Sequence, residues 1–187
     1  MLVPVFVVML AIGGAAPDTV VSLGTVRRDL TGDGVPEVLR LVGVGKSIDS
    51  LSVTFSIASA GRVLYADTFP ITRVVREPER AGRMSDTEYR SHLAEFGAAF
   101  FDARKFRTPA QFLAELSQVG RSHIAEIPEL IGSGRRAPGD TTSGETVWRE
   151  IQRAGVTIFE YSPGGDRVTA IVWSARDRDF YQILECC

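Results

Sequence analysis

The chain has 187 residues, of which 44% are hydrophobic, and 21 basic side chains against 23 acidic ones leave a formal charge of −2 at pH 7. That length buries one ordinary core and is short for two large domains. Its arginines stand singly or in pairs such as Arg27, Arg28 and Arg135, Arg136, so there is no positive field to hold a polyphosphate and nucleic acid is not expected as a partner.

The first sixteen residues, "MLVPVFVVMLAIGGAA", form an apolar run too short to cross a bilayer and ending in small residues. Such a run reads as a secretory signal peptide over residues 1–16, cleaved near Ala15 or Ala16, with residues 17–187 as one domain of an exported, bacterial-type protein. No cysteine lies near the cleavage region, so a lipid anchor is not indicated, and no later stretch is apolar enough to span a membrane.

Val20 to Arg27 and Glu37 to Val44 alternate as strands, joined by "DLTGDGVPE". "LSVTFSIAS" and "RVLYADTF" follow, with Ala60 and Gly61 as the turn of a second hairpin. "REPERAGRM" then interrupts the pattern as a charged connector without apolar period. In "SDTE", Ser85 and Glu88 have the spacing of a capping box. Tyr89, Leu93, Phe96 and Phe100 behind it give one apolar helical face. "TPAQ" repeats the logic with Thr108, Pro109 and Gln111, and Gly120 ends that helix. Ser122 to Ile131 reads as a third helical piece that Pro128 should break or kink. "TSGETVWREIQRAG" reads as a short helix ending at Gly155. Three strand-like runs, "VTIFEYS", "RVTAIVWSA" and "FYQILECC", close the chain, and their short connections join only antiparallel neighbours. The expected fold is α+β: an antiparallel sheet from an N-terminal meander and a C-terminal three-stranded meander, packed by three or four central helices.

The first connection carries the densest chemistry. Counting Asp29 as position 1, oxygens fall at Asp29, Thr31 and Asp33, Gly34 permits a sharp bend, and the Val35 carbonyl and Glu37 follow. Hard cations such as calcium take six to eight oxygens, and alternate placement lets a short loop wrap one. Over these nine residues the loop resembles the calcium loops of FG-GAP and integrin β-propeller repeats, where Asp-x-Asp-x-Asp-Gly sits between two strands. The resemblance implies a structural Ca2+ held by Asp29, Thr31, Asp33, Val35 and Glu37, pinning a hairpin. An EF-hand does not fit, because Arg40 stands where that motif needs a glutamate and the flanks are strands. The alternative is a glycine-rich turn in which Asp29 and Asp33 cap backbone amides.

Other motifs are weaker. "GVGKS" lacks the upstream glycine and the following helix of a phosphate loop. Glu88, His92 and Glu95 share one flank of the first helix, where they form a candidate acid–base or metal group of a secreted hydrolase, or a plain solvated flank. His123 has no nucleophile context. Cys186 and Cys187 are the only cysteines, and as strand neighbours they face opposite ways; a thiol-dependent role rests on them alone. With no complete catalytic motif, the expectation is a structural or binding role toward a protein or envelope component.

Overall fold

The computed structural model describes residues 18–74, 85–119, 122–133 and 142–186. The expected signal segment, the connector "REPERAGRM", most of the loop before Thr142, and Cys187 lie outside the described residues.

Among the described residues, eight strands form two antiparallel sheets of four. The first is a meander of β1 (Thr19–Arg28), β2 (Glu37–Gly45), β3 (Ser52–Ser59) and β4 (Arg62–Pro70), in sequence order. Its alternation is read directly from the residues. Leu39 and Leu41 of β2, and Val53, Phe55 and Ile57 of β3, are fully buried, while Arg40 and Val44, in the other phase of β2, face out. Ala60 and Gly61 both take positive φ (47° and 80°), the mirror-image turn whose twist matches a two-residue hairpin.

The second sheet holds β5 (Phe106–Arg107), β6 (Ile158–Gly164), β7 (Arg167–Ser174) and β8 (Asp179–Cys186). The fold is α+β, and its two meanders form two sheets that meet through aromatic side chains. The Phe55 ring of the first sheet lies 5.4 Å from Phe159 and 5.0 Å from Tyr161 of the second. The short strand β5 has no counterpart in the sequence pattern, since two residues carry no period.

Among the described residues, four α-helices complete the core: α1 (Asp86–Phe100), α2 (Pro109–Val119), α3 (Ser122–Ser133) and α4 (Gly144–Arg153). The Ser85 and Glu88 box at the start of α1 is formed, with the Ser85 amide donating to Glu88 Oε2 at 2.7 Å. Thr108 and Gln111 do the same for α2. Of the expected break or kink at Pro128, the break does not occur: helix α3 runs through the proline. An internal proline removes one hydrogen bond, and here packing offsets it: Ile127 and Ile131 are fully buried, and α4 approaches so closely that a Cβ on Gly144 would lie 1.9 Å from the Pro128 carbonyl oxygen. Helix α1 lies along β1, and α3 and α4 cover β8 and β7. No helix among the described residues is long and apolar enough to cross a membrane.

Candidate functional site

The loop between β1 and β2 is closed by its own carboxylates. Asp29 accepts from the amides of Gly32 (2.7 Å) and Gly34 (2.8 Å), and Asp33 accepts from Val35 (2.8 Å). Gly32 and Gly34 have φ of 75° and 84°, the left-handed region that explains two glycines in "TGDG". Glu37 is the first residue of β2 and falls in its inward phase, with only 1% of its surface exposed. Its two oxygens accept from the Leu30 amide (2.8 Å) and the Thr31 hydroxyl (3.2 Å).

The loop is also tied to the far end of the chain. The Thr157 hydroxyl donates to the Asp29 carbonyl (3.0 Å) and its amide to the Leu30 carbonyl (3.3 Å). A Cβ on Gly32 would sit 3.1 Å from the Ala154 carbonyl, so the loop rests directly on the turn after α4. The five residues of the expected ligand set are therefore divided between two levels. Thr31 and Glu37 bond to each other at the buried base, whereas Asp29 and Asp33 bracket the outer turn, where Asp33 and Val35 are exposed. Among the described residues no three His, Cys, Asp or Glu side chains gather as a metal-binding group.

Glu88, His92 and Glu95 are exposed along the flank of α1. Glu88 is engaged by Ser85, whose backbone and side-chain hydrogen bonds hold its carboxyl below the usual range. None of the three lines the groove between β1 and α1. His123 Nδ1 lies 3.6 Å from Glu126 of its own helix. The backbone of Cys186 pairs with Val168 at the end of β8.

Two arrangements escaped the motif reading. In β4, Tyr65, Asp67 and Phe69 share the inward face, which places a carboxylate against the second sheet. There the Tyr161 hydroxyl donates to Asp67 Oδ2 (2.9 Å) and lies 2.8 Å from the Tyr65 hydroxyl. Burial pushes the Tyr161 hydroxyl far above its ordinary 10.0, with Tyr65 and Asp67 adding to the effect, and burial raises Tyr65 as well. The available signal was an aspartate in the apolar phase of "RVLYADTF".

The second arrangement is a groove of about 550 Å³ between β1 and α1. Its floor and walls include Gly24 and Thr25 of β1 with Ala94 and Ala98 of α1, and among the described residues Arg90 is the one charged side chain lining it. Gly97 anchors the helix beside the strand, because a Cβ there would lie 1.9 Å from the Leu23 carbonyl oxygen. No family model, characterised protein sequence or solved structure matches this chain, so its function is argued from these sites alone.

Proposed function

We propose that this is an exported bacterial protein with a structural or binding role toward a protein or envelope component. In this reading the Asp29–Glu37 loop is a clasp and calcium reinforces it from outside. The observation that carries the reading is the way the loop spends its oxygens. Every carboxylate in it holds a backbone amide or hydroxyl of the loop itself, and Thr157 joins the loop to the second half of the chain. Those are contacts of a fastening element, and they leave no acid or base presented to a substrate. The apolar run at residues 1–16 supports export.

Calcium would draw on Asp29, Asp33 and the Val35 carbonyl at the exposed turn, with water completing the oxygens that the buried Glu37 and Thr31 do not supply. So few protein ligands imply binding in the millimolar range. The test is the thermal midpoint of the purified chain in chelator, in millimolar calcium and in millimolar magnesium. Ligands that bind only the native state raise the midpoint by linkage. A rise with calcium that Asp29→Asn and Asp33→Asn abolish is the expected outcome, since asparagine still accepts amide protons but removes the charge. An unchanged midpoint in calcium would end the ion reading and leave the clasp to its hydrogen bonds.

A further inference from the structure

The outer turn of the β1–β2 loop contains a peptide bond that is reactive by composition. Asp33 is followed by Gly34, the one Asp-Gly pair in the chain, and the sequence has no asparagine whose deamidation would give the same product elsewhere. Glycine carries no side chain to shield its amide nitrogen, so that nitrogen can attack the side-chain carboxyl carbon of the aspartate before it. The carboxyl OH and the amide proton leave as water, and a five-membered succinimide closes. Water then opens the ring at either carbonyl. One opening restores aspartate, and the other gives isoaspartate, in which the main chain runs through Cβ and Cγ. One water leaves and one returns, so the change needs no other reagent and leaves the mass as it was.

Sterically the site is open. Asp33 and Gly34 are both exposed, and a Cβ on Gly34 would meet nothing within 4 Å beyond its chain neighbours. What opposes closure is hydrogen bonding. The Gly34 amide donates to Asp29 Oδ2 at 2.8 Å, so the proton that must leave points at a carboxylate other than the one to be attacked. The Val35 amide donates to Asp33 Oδ1, also at 2.8 Å, and holds that carboxylate toward Val35. Asp29 is fixed in turn, because its other oxygen accepts from Gly32 (2.7 Å) and its carbonyl accepts from Thr157 (3.0 Å).

We propose that Asp33 is a modification site, the position at which this chain isomerises to isoaspartate, and that Asp29 guards it: ring closure waits until the Gly34 amide leaves Asp29. A hydrogen bond to an ionised acceptor is stronger than a neutral one, so losing it should speed closure by about tenfold or more. The product would undo the turn, since isoaspartate lengthens the main chain by a carbon and carries its carboxylate directly on Cα, away from the Val35 amide. The inference goes beyond the clasp reading and is independent of calcium, because the guarding contacts lie within the chain.

The test ages the intact chain for several weeks at neutral pH in chelator, with a synthetic peptide of residues 26–40 as the unguarded reference. Isoaspartate is counted by enzymatic methylation with an isoaspartyl methyltransferase and located by electron-transfer fragmentation of the loop peptide. The folded chain should isomerise at Asp33 about tenfold or more slowly than the peptide. Asp29→Ala should approach the peptide's rate. Asp29→Asn, which still accepts the Gly34 amide, should stay nearer the unaltered chain. Circular dichroism of each variant separates an opened loop from a lost fold. If Asp29→Ala does not fold, Asp33→Asn supplies the rate: its deamidation passes through the same succinimide, is read as a gain in mass, and should be about tenfold slower in the folded chain than in the peptide with the same change.

A folded chain that isomerises as fast as the peptide overturns the guard. So does an Asp29→Ala chain that isomerises more slowly than the unaltered one, which would make Asp29 the base that draws off the Gly34 proton. Isoaspartate located chiefly at another residue overturns the site itself. A thermal midpoint unmoved by calcium would leave this inference standing, so the two readings fail separately.

Discussion

Glu37 shows how one residue type can support two opposite readings. As the last acid of "DLTGDGVPE" it counts as a ligand oxygen, yet its place in β2 puts it in phase with Leu39 and Leu41, both fully buried. The strand parity wins, because a side chain on the inward face of a paired strand cannot also turn out to solvent. Once buried, the carboxylate must be matched by donors, and the Leu30 amide and Thr31 hydroxyl supply them. Glu37→Ala removes the acceptor and leaves the amide of the fully buried Leu30 without one, so the chain should lose about 3 kcal/mol in urea unfolding. Glu37→Gln keeps an acceptor for Leu30 and places an amide donor toward Thr31, so its loss should be near 1 kcal/mol. Equal losses in the two variants would mean that the carboxylate does not hold the loop in this way.

At the level of elements, Gly97 decides how α1 meets the first sheet. Its position on the apolar face, between Leu93 and Phe100, lets the helix backbone reach the Leu23 carbonyl, and the ring of Phe101 closes over Gly24 at 3.0 Å from where a Cβ would stand. Gly97→Ala would favour the helix by intrinsic propensity, by about 1 kcal/mol. The clash at 1.9 Å is with backbone, which has no rotamer to yield, so overpacking of about 3 kcal/mol should dominate and the variant should be less stable in thermal or urea unfolding. A stabilised Gly97→Ala would show that α1 sits farther from β1. The same contrast explains what the sequence could reveal. The capping boxes at Ser85 and Thr108 and the Ala60–Gly61 turn were legible because each is complete within four residues. The division of the strands into two sheets, the two-residue β5 and the passage of α3 through Pro128 depend on partners far along the chain. Nothing within Phe106–Arg107 specifies that Ile158 and Phe159 will pair with it. The β1–α1 groove was hidden for the same reason: the sequence shows a helix and a strand, and only packing at Gly97 sets one beside the other.

Across the whole molecule, the two sheets are joined by an aromatic layer and by a polar cluster inside it. Tyr161 of the second sheet donates a hydrogen bond to Asp67 of the first and lies beside the Tyr65 hydroxyl, in a region where burial disfavours the phenolate. Both tyrosines therefore hold their protons more tightly folded than unfolded. A raised folded value contributes stability that is fully present below the unfolded value, near pH 10, and that drains away as pH rises beyond it, because the unfolded chain releases protons that the folded chain retains. The thermal midpoint should accordingly fall between about pH 9 and about pH 11, and the ultraviolet absorbance of tyrosinate from these residues should appear together with the loss of circular dichroism. Tyr161→Phe removes the donor to Asp67 and should lower stability at neutral pH by about 1–2 kcal/mol. The same variant should make the alkaline fall shallower, since one fewer proton then separates the two states. Tyrosinate absorbance that reached full amplitude in the folded protein, with no accompanying unfolding, would place these hydroxyls in solvent and break the link between the sheets. Because Phe55 packs in the same layer, with Tyr161 on one side and Phe100 of α1 at 5.2 Å, opening that contact exposes the core of both sheets at once. The alkaline transition should therefore be a single cooperative step, with both sheets lost together.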